Sequence, residues 1–127
     1  MREFMFFIRK RSKSESTLSP ERHKEFLKGC EVYIGKLKSE GKLLSAQPIE
    51  WSGTIIGRDK ENWKKTSFDE TGEVIGGYYH ILAENIDEAI SIAQANPEFQ
   101  YNPGTRIEVR PLKMKESTTG FEYPTKE

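Results

Sequence analysis

The chain has 127 residues, 20 Lys and Arg balanced by 20 Asp and Glu, 35% hydrophobic residues and a single cysteine. One ordinary domain is expected from that length, and the zero formal charge and pI near 6.8 remove the electrostatic basis for a nucleic-acid or anionic-membrane binder. No apolar run approaches the roughly 20 residues of a membrane span, the stretch from Met1 to Arg9 is too short for a secretory signal, and a lone Cys30 excludes an intramolecular disulfide or a multi-cysteine metal site, so a soluble, cytoplasmic domain is expected.

In chain order, Phe4 to Ile8 is a short aromatic-rich run ending at Arg9-Lys10-Arg11, which reads as a strand buried on both faces followed by a solvated basic loop. Ser12 to Thr17 has no apolar anchor and reads as loop. Ser19-Pro20-Glu21 is a helix start, with a hydroxyl cap, proline at the first helical position and an acid at the positive end of the dipole. Phe26, Leu27, Cys30, Tyr33, Ile34 and Leu37 continue it as one apolar stripe, which Gly41 ends. Leu43 to Ala46 and Gly53 to Gly57 read as short strands, and the polar stretch Arg58 to Thr66 as an excursion. Val74 to Ala83 is rich in β-branched and aromatic residues and is the best strand of the chain. Its Gly76-Gly77 pair marks a bend, a bulge or the close approach of another backbone. Asn85 with Glu88 has capping-box spacing for a second helix, which Asn96-Pro97 stops. Arg106 to Arg110 alternates as a strand with one buried face, and the polar stretch from Met114 to Glu127 reads as a tail or an arm across a partner.

The order is β-α-β-β-α-β with a small extra strand. Two helices of about 20 and about 11 residues fit on one face of a four-stranded sheet, which makes an α+β, ferredoxin-like sandwich with an antiparallel sheet. Ile75, Tyr79, Ile81 and Ala83 are expected on one face of the long strand, and Val74, Tyr78, His80 and Leu82 on the other. Neither set suits water. An open face that apolar marks an interface, and a homodimer packing sheet against sheet is its economical cover.

The run from Phe68 to Tyr79, Phe-Asp-Glu-Thr-Gly-Glu-Val-Ile-Gly-Gly-Tyr-Tyr, resembles the DGPF-x-ETKE-x-x-GGYY signature of the YCII-related (DGPF-domain) family. Asp87-Glu88-Ala89, the closing Ile107 to Pro111, and the first helix with Leu43-Leu44 and Pro48 after it match as well, so the likeness spans about residues 3 to 112. Where the family reads Asp-Gly-Pro before Phe, this chain has Lys65-Thr66-Ser67, and Gly72 stands in place of the family's Lys. The resemblance implies a single domain over residues 1–113 that pairs into a dimeric α/β barrel, with 114–127 as an appended tail. In the branch typified by the YCII proteins it also implies a catalytic His on the first helix, paired with an acid; His23 occupies that place.

The candidate catalytic residues are His23 and His80. His23 lies at the edge of the first helix's buried face, where a neutral imidazole can act as a general base. It reads equally as a boundary histidine bonded to a backbone carbonyl. His80 lies on the face assigned to the barrel interior, beside Tyr78, and needs a hydrogen-bond partner there, from a ligand or across a dimer axis. The candidate substrate-binding residues are Tyr78, Arg110, Trp51 and Glu70. Arg110 either clamps a carboxylate or pairs with Glu108 or Glu70. Trp51 and Trp63 lid a cleft or pin the excursion to the surface. Cys30 reads as a core thiol. No cofactor motif and no ligand spacing for a metal appear.

Two functions fit these expectations. One is an enzyme using metal-free acid–base chemistry on a small organic ligand in a barrel cleft. The other is a non-catalytic dimeric ligand-binding or regulatory module, whose tail recruits a partner.

Overall fold

The computed structural model describes residues 1–11, 18–67 and 72–124. Its elements are β1 (Arg2–Lys10), α1 (Pro20–Ser39), β2 (Leu43–Pro48), β3 (Ile55–Asp59), β4 (Asn62–Thr66), β5 (Val74–Ala83), α2 (Ile86–Gln94), the single turn α3 (Glu98–Tyr101) and β6 (Arg106–Pro111). Four strands form one sheet in the order β2-β5-β1-β6, antiparallel throughout. That is the ferredoxin-like order, an α+β sandwich with its helices on one face.

Local chemistry explains the boundaries. Ser19 Oγ accepts from the Arg22 amide at 3.2 Å and Pro20 opens α1. Asn85 Oδ1 accepts from the Glu88 amide at 2.9 Å, and Glu88 reaches back to the amide of Glu84 rather than to that of the cap. Alternation along β1 sends Phe4, Phe6 and Ile8 inward. They meet Leu37 of α1, Ala89 and Ala93 of α2, and Tyr79, Ile81 and Ala83 of β5. Met5 and Phe7 on the opposite face are half-buried.

The glycine pair does two jobs. Gly76 is the extra residue of a bulge, since Ile8 pairs with Gly77 and Arg9 with Ile75. The bulge reverses the alternation before it, so Val74 is 9% exposed and Ile75 42%. The faces expected for those two residues are therefore exchanged. At Gly77 a β-carbon would stand 3.2 Å from the Gln47 carbonyl oxygen and 3.4 Å from the Pro48 α-carbon, so β2 approaches as closely as it does only because no side chain intervenes.

The excursion after β2 is a hairpin. β3 and β4 form a two-stranded ladder of their own, exposed along its length, with Arg58 over the Trp63 ring at 5.1 Å. The chain after β6 folds locally: Lys115 bridges Glu122, Tyr123 bonds Glu116, and the Phe121 and Tyr123 rings meet edge-on. No helix is long and apolar enough to cross a membrane among the described residues.

Arg9-Lys10-Arg11 departs from the expected solvated loop. Arg9 and Lys10 end β1, and Arg9 bonds Glu73 at 2.7 Å and Glu108 at 2.7 Å. Glu73 also receives Arg106 at 2.6 and 2.8 Å. Hydrogen bonds from Arg106 and Arg9 hold its carboxyl down at about 2, against a partial desolvation that opposes them. The unfolded chain therefore binds more protons than the folded one between the ordinary glutamate value and that depressed one. This contribution to stability is present above about pH 4.5 and is lost as the pH falls toward 2. Urea midpoints measured across that window should fall less steeply in Glu73→Gln than in the parent; parallel curves would remove Glu73 from the acid response.

Candidate active site

Between α1 and the β5–β2 side of the sheet lies a cavity of about 340 Å³. It falls in the range of small-molecule sites. Helical spacing builds one wall from His23, Phe26, Leu27, Cys30 and Ile34, and the strands supply Ile8, Ala46, Pro48 and the glycine pair opposite. His23 is exposed and stands at the mouth, its ring tilted against Phe26 with centroids 6.3 Å apart.

Set into this apolar lining is an ion pair. Lys10 Nζ lies 3.0 Å from Glu98 Oε2 and 5.7 Å above the centre of the Phe26 ring. A β-carbon on Gly76 would stand 3.1 Å from the Lys10 side chain, so the bulge glycine also gives the lysine stem its path. Glu98 is buried in α3, accepts from the Asn102 side-chain amide at 2.7 Å through its other oxygen, and donates its backbone N–H to Asn96 Oδ1 at 2.9 Å. Burial, with Glu98 adding to it, pushes the Cys30 thiol up to about 11, so Cys30 is a packing thiol rather than a nucleophile.

His80 is elsewhere. It lies on the open face of the sheet, and Glu3 supplies its partner, with Nε2 and Oε1 2.7 Å apart and both side chains close to 15% exposed. The two histidines thus divide the features of a base: His23 has the cavity, His80 the carboxylate. Tyr78 borders the cavity, and its hydroxyl accepts from Ser45 Oγ at 3.4 Å. Arg110 pairs with Glu108 at 3.0 Å on the open face rather than reaching the cavity. Trp51 is half-buried and does not line the cavity. Glu70 lies outside the described residues.

Sequence reasoning missed Lys10, Glu98, Glu3 and Tyr79. Alternation along β1 placed Lys10 on the helix-facing side with Phe4, Phe6 and Ile8, and that signal was readable. Glu98 had none, because α3 is a single turn after a proline. A second cavity, of about 320 Å³ between α1 and α2, has its Lys42 neutralised by Glu88 at 3.3 Å and Glu40 at 3.8 Å. Among the described residues no three His, Cys, Asp or Glu side chains converge to hold a metal.

No curated protein matches the sequence. Among solved structures, the chain is similar to 5-chloro-2-hydroxyhydroquinone dehydrochlorinase from Burkholderia phenoliruptrix AC1100, in complex with 2,5-dihydroxybenzoquinone. The identity is 18% over 84% of this chain and 90% of that one, with a TM-score of 0.47. The sequence model of the YCII-related domain matches residues 3–113, from the second residue of β1 to just past β6. The chain therefore belongs to the YCII-related domain family.

Proposed function

We propose that this protein is an enzyme that performs metal-free acid–base chemistry on a small organic molecule held between α1 and the sheet, with His23 transferring the proton. One observation carries the reading: an imidazole stands at the mouth of a largely apolar cavity of about 340 Å³ whose other ionic groups, among the described residues, are the mutually neutralised Lys10 and Glu98. Imidazole is the side chain best suited to taking up a proton near neutral pH, and here it stands beside apolar walls that can hold an organic ligand.

The test uses 5-nitrobenzisoxazole, a flat probe whose ring opens when a base removes its one reactive C–H proton. The N–O bond breaks and its electron pair leaves as a coloured phenolate, so a base alone suffices. The protein should open the probe faster than buffer at equal pH, with the rate unchanged by EDTA. A rate equal to buffer, with the probe shown to bind, would favour the second reading, a ligand-binding module without turnover. A specific observation favours that alternative: among the described residues no carboxylate is bonded to the His23 ring, and the one His–carboxylate pair lies outside the cavity.

The same proposal has two copies joined through their open sheet faces. Met5, Phe7, Tyr78 and Leu82 form a half-buried apolar band there, flanked by His80–Glu3 and by the Arg9–Glu108–Arg110 cluster. Residues 1–113 are the working unit and 114–127 an appendage to it. Sedimentation at micromolar concentration should give twice the 14.7 kDa of one chain; a single-chain mass would remove the dimer.

A further inference from the structure

Tyr79 stands on the helix-facing side of β5, 8% exposed, edge-on to Tyr33 with ring centroids 5.7 Å apart. The two phenols differ in what they bond. Tyr33 donates to the Ile92 carbonyl at 2.7 Å, whereas the Tyr79 hydroxyl makes no hydrogen bond of normal geometry among the described residues, and Tyr79 is one of the residues lining the cavity. Close to both lies Asn96, 2% exposed. Its Nδ2 is the one buried side-chain nitrogen or oxygen among the described residues without a partner, and its Oδ1 is committed to the Glu98 amide, so the group cannot turn over. Burial pushes the Tyr79 phenol up to about 12, with Cys30 adding to the effect and the Asn96 amide, which acts on Tyr33 in the same way, opposing it. Buried polar groups in native proteins rarely go unpartnered, and here one stands near a phenol hydroxyl that itself has no hydrogen bond of normal geometry among the described residues.

We propose that the inner end of the cavity is a subsite for a carbonyl oxygen, with the Tyr79 hydroxyl as its hydrogen-bond donor and Asn96 as the residue that positions that hydroxyl. An amide proton directed at the phenol oxygen leaves the phenol's own proton for the ligand. The inference rests on the cavity being the ligand site, and it narrows the ligand to a small, largely apolar carbonyl compound. Its body lies along Phe26, Ile34 and Ala46, and its carbonyl is innermost. Cys30, near Tyr79, is two turns beyond His23 on α1, about 10 Å along the axis, so the two polar groups hold opposite ends of one molecule.

The probes are acetophenone and ethylbenzene, which differ by a carbonyl in place of a methylene. Both should shift the backbone amide resonances of Ala46 and Gly77, and only acetophenone should move the ring Cζ resonance of Tyr79 in carbon-13-labelled protein, a reading that needs no variant. Tyr79→Phe keeps the ring and should weaken acetophenone about fivefold, leaving ethylbenzene unchanged. Asn96→Ala should erode the same preference without touching ethylbenzene. Equal losses for both probes, or no loss for acetophenone, would overturn the subsite while leaving the cavity as the ligand site. Failure of both probes to perturb the lining residues would overturn the subsite together with the proposed function.

Discussion

Replacing His23 with glutamine should reduce the opening of 5-nitrobenzisoxazole by at least about 100-fold, the lower end of what a positioned general base contributes. Glutamine keeps a polar, planar side chain at the mouth of the cavity but has no basic nitrogen at any working pH. His23 is exposed at the end of the first turn of α1 and, among the described residues, its side chain makes no hydrogen bond, so its loss should leave the fold intact. Far-ultraviolet circular dichroism and the urea midpoint check that. The parallel change at His80 separates the two imidazoles. His80→Gln alters the pair with Glu3 on the far side of the sheet and should leave the rate within about twofold. A rate that follows His80 and ignores His23 would transfer the chemistry to the open face.

Phe6→Ala should lower the unfolding free energy by about 3–5 kcal/mol, the range for deleting a buried phenyl ring. Phe6 is fully buried in the central strand, tilted against Tyr79 with centroids 6.4 Å apart, and packed among residues from both helices. Those neighbours are fixed by strand pairing on both sides of β1, so the cavity cannot collapse far. Against a total of about 5–15 kcal/mol for a domain, the variant should unfold at a much lower urea concentration with little change in slope. A loss below about 1 kcal/mol would mean that the sheet and helices do not close on Phe6 as described.

The sheet, both long helices and the faces of β1 were legible in the sequence because each rests on local rules. Ser19-Pro20 starts α1, Asn85 starts α2, and Phe4-Phe6-Ile8 alternates. Three features were not, and each is decided by tertiary pairing. The bulge at Gly76 exchanges the faces of Val74 and Ile75, and a glycine pair signals an irregularity without saying which residue is extra. The hairpin β3–β4 carries Arg58, Lys60, Lys64 and Lys65, whose charge hid its pairing behind the look of a loop. α3 is too short to have a period. The candidate site was legible to the same depth. His23 was found from its place on a helix face, whereas Lys10 and Glu98 are 88 positions apart in sequence and meet only when β1 and α3 are brought together. Tyr78 and Tyr79 both border the cavity although alternation along β5 puts them on opposite faces, and composition does not say which face leads to it.

The placement of β1 has a further consequence during synthesis. It is synthesised before the other strands of the sheet, yet it sits between β5 and β6, which emerge later. Until they do, Phe4, Met5, Phe6, Phe7 and Ile8 form a greasy, unpaired segment of the nascent chain. Closing the sheet must then bring distant parts of the polypeptide together, which makes assembly slow and leaves the incomplete chain prone to self-association. The residues that give the finished domain its centre are thus the ones that most need shielding while it is being made.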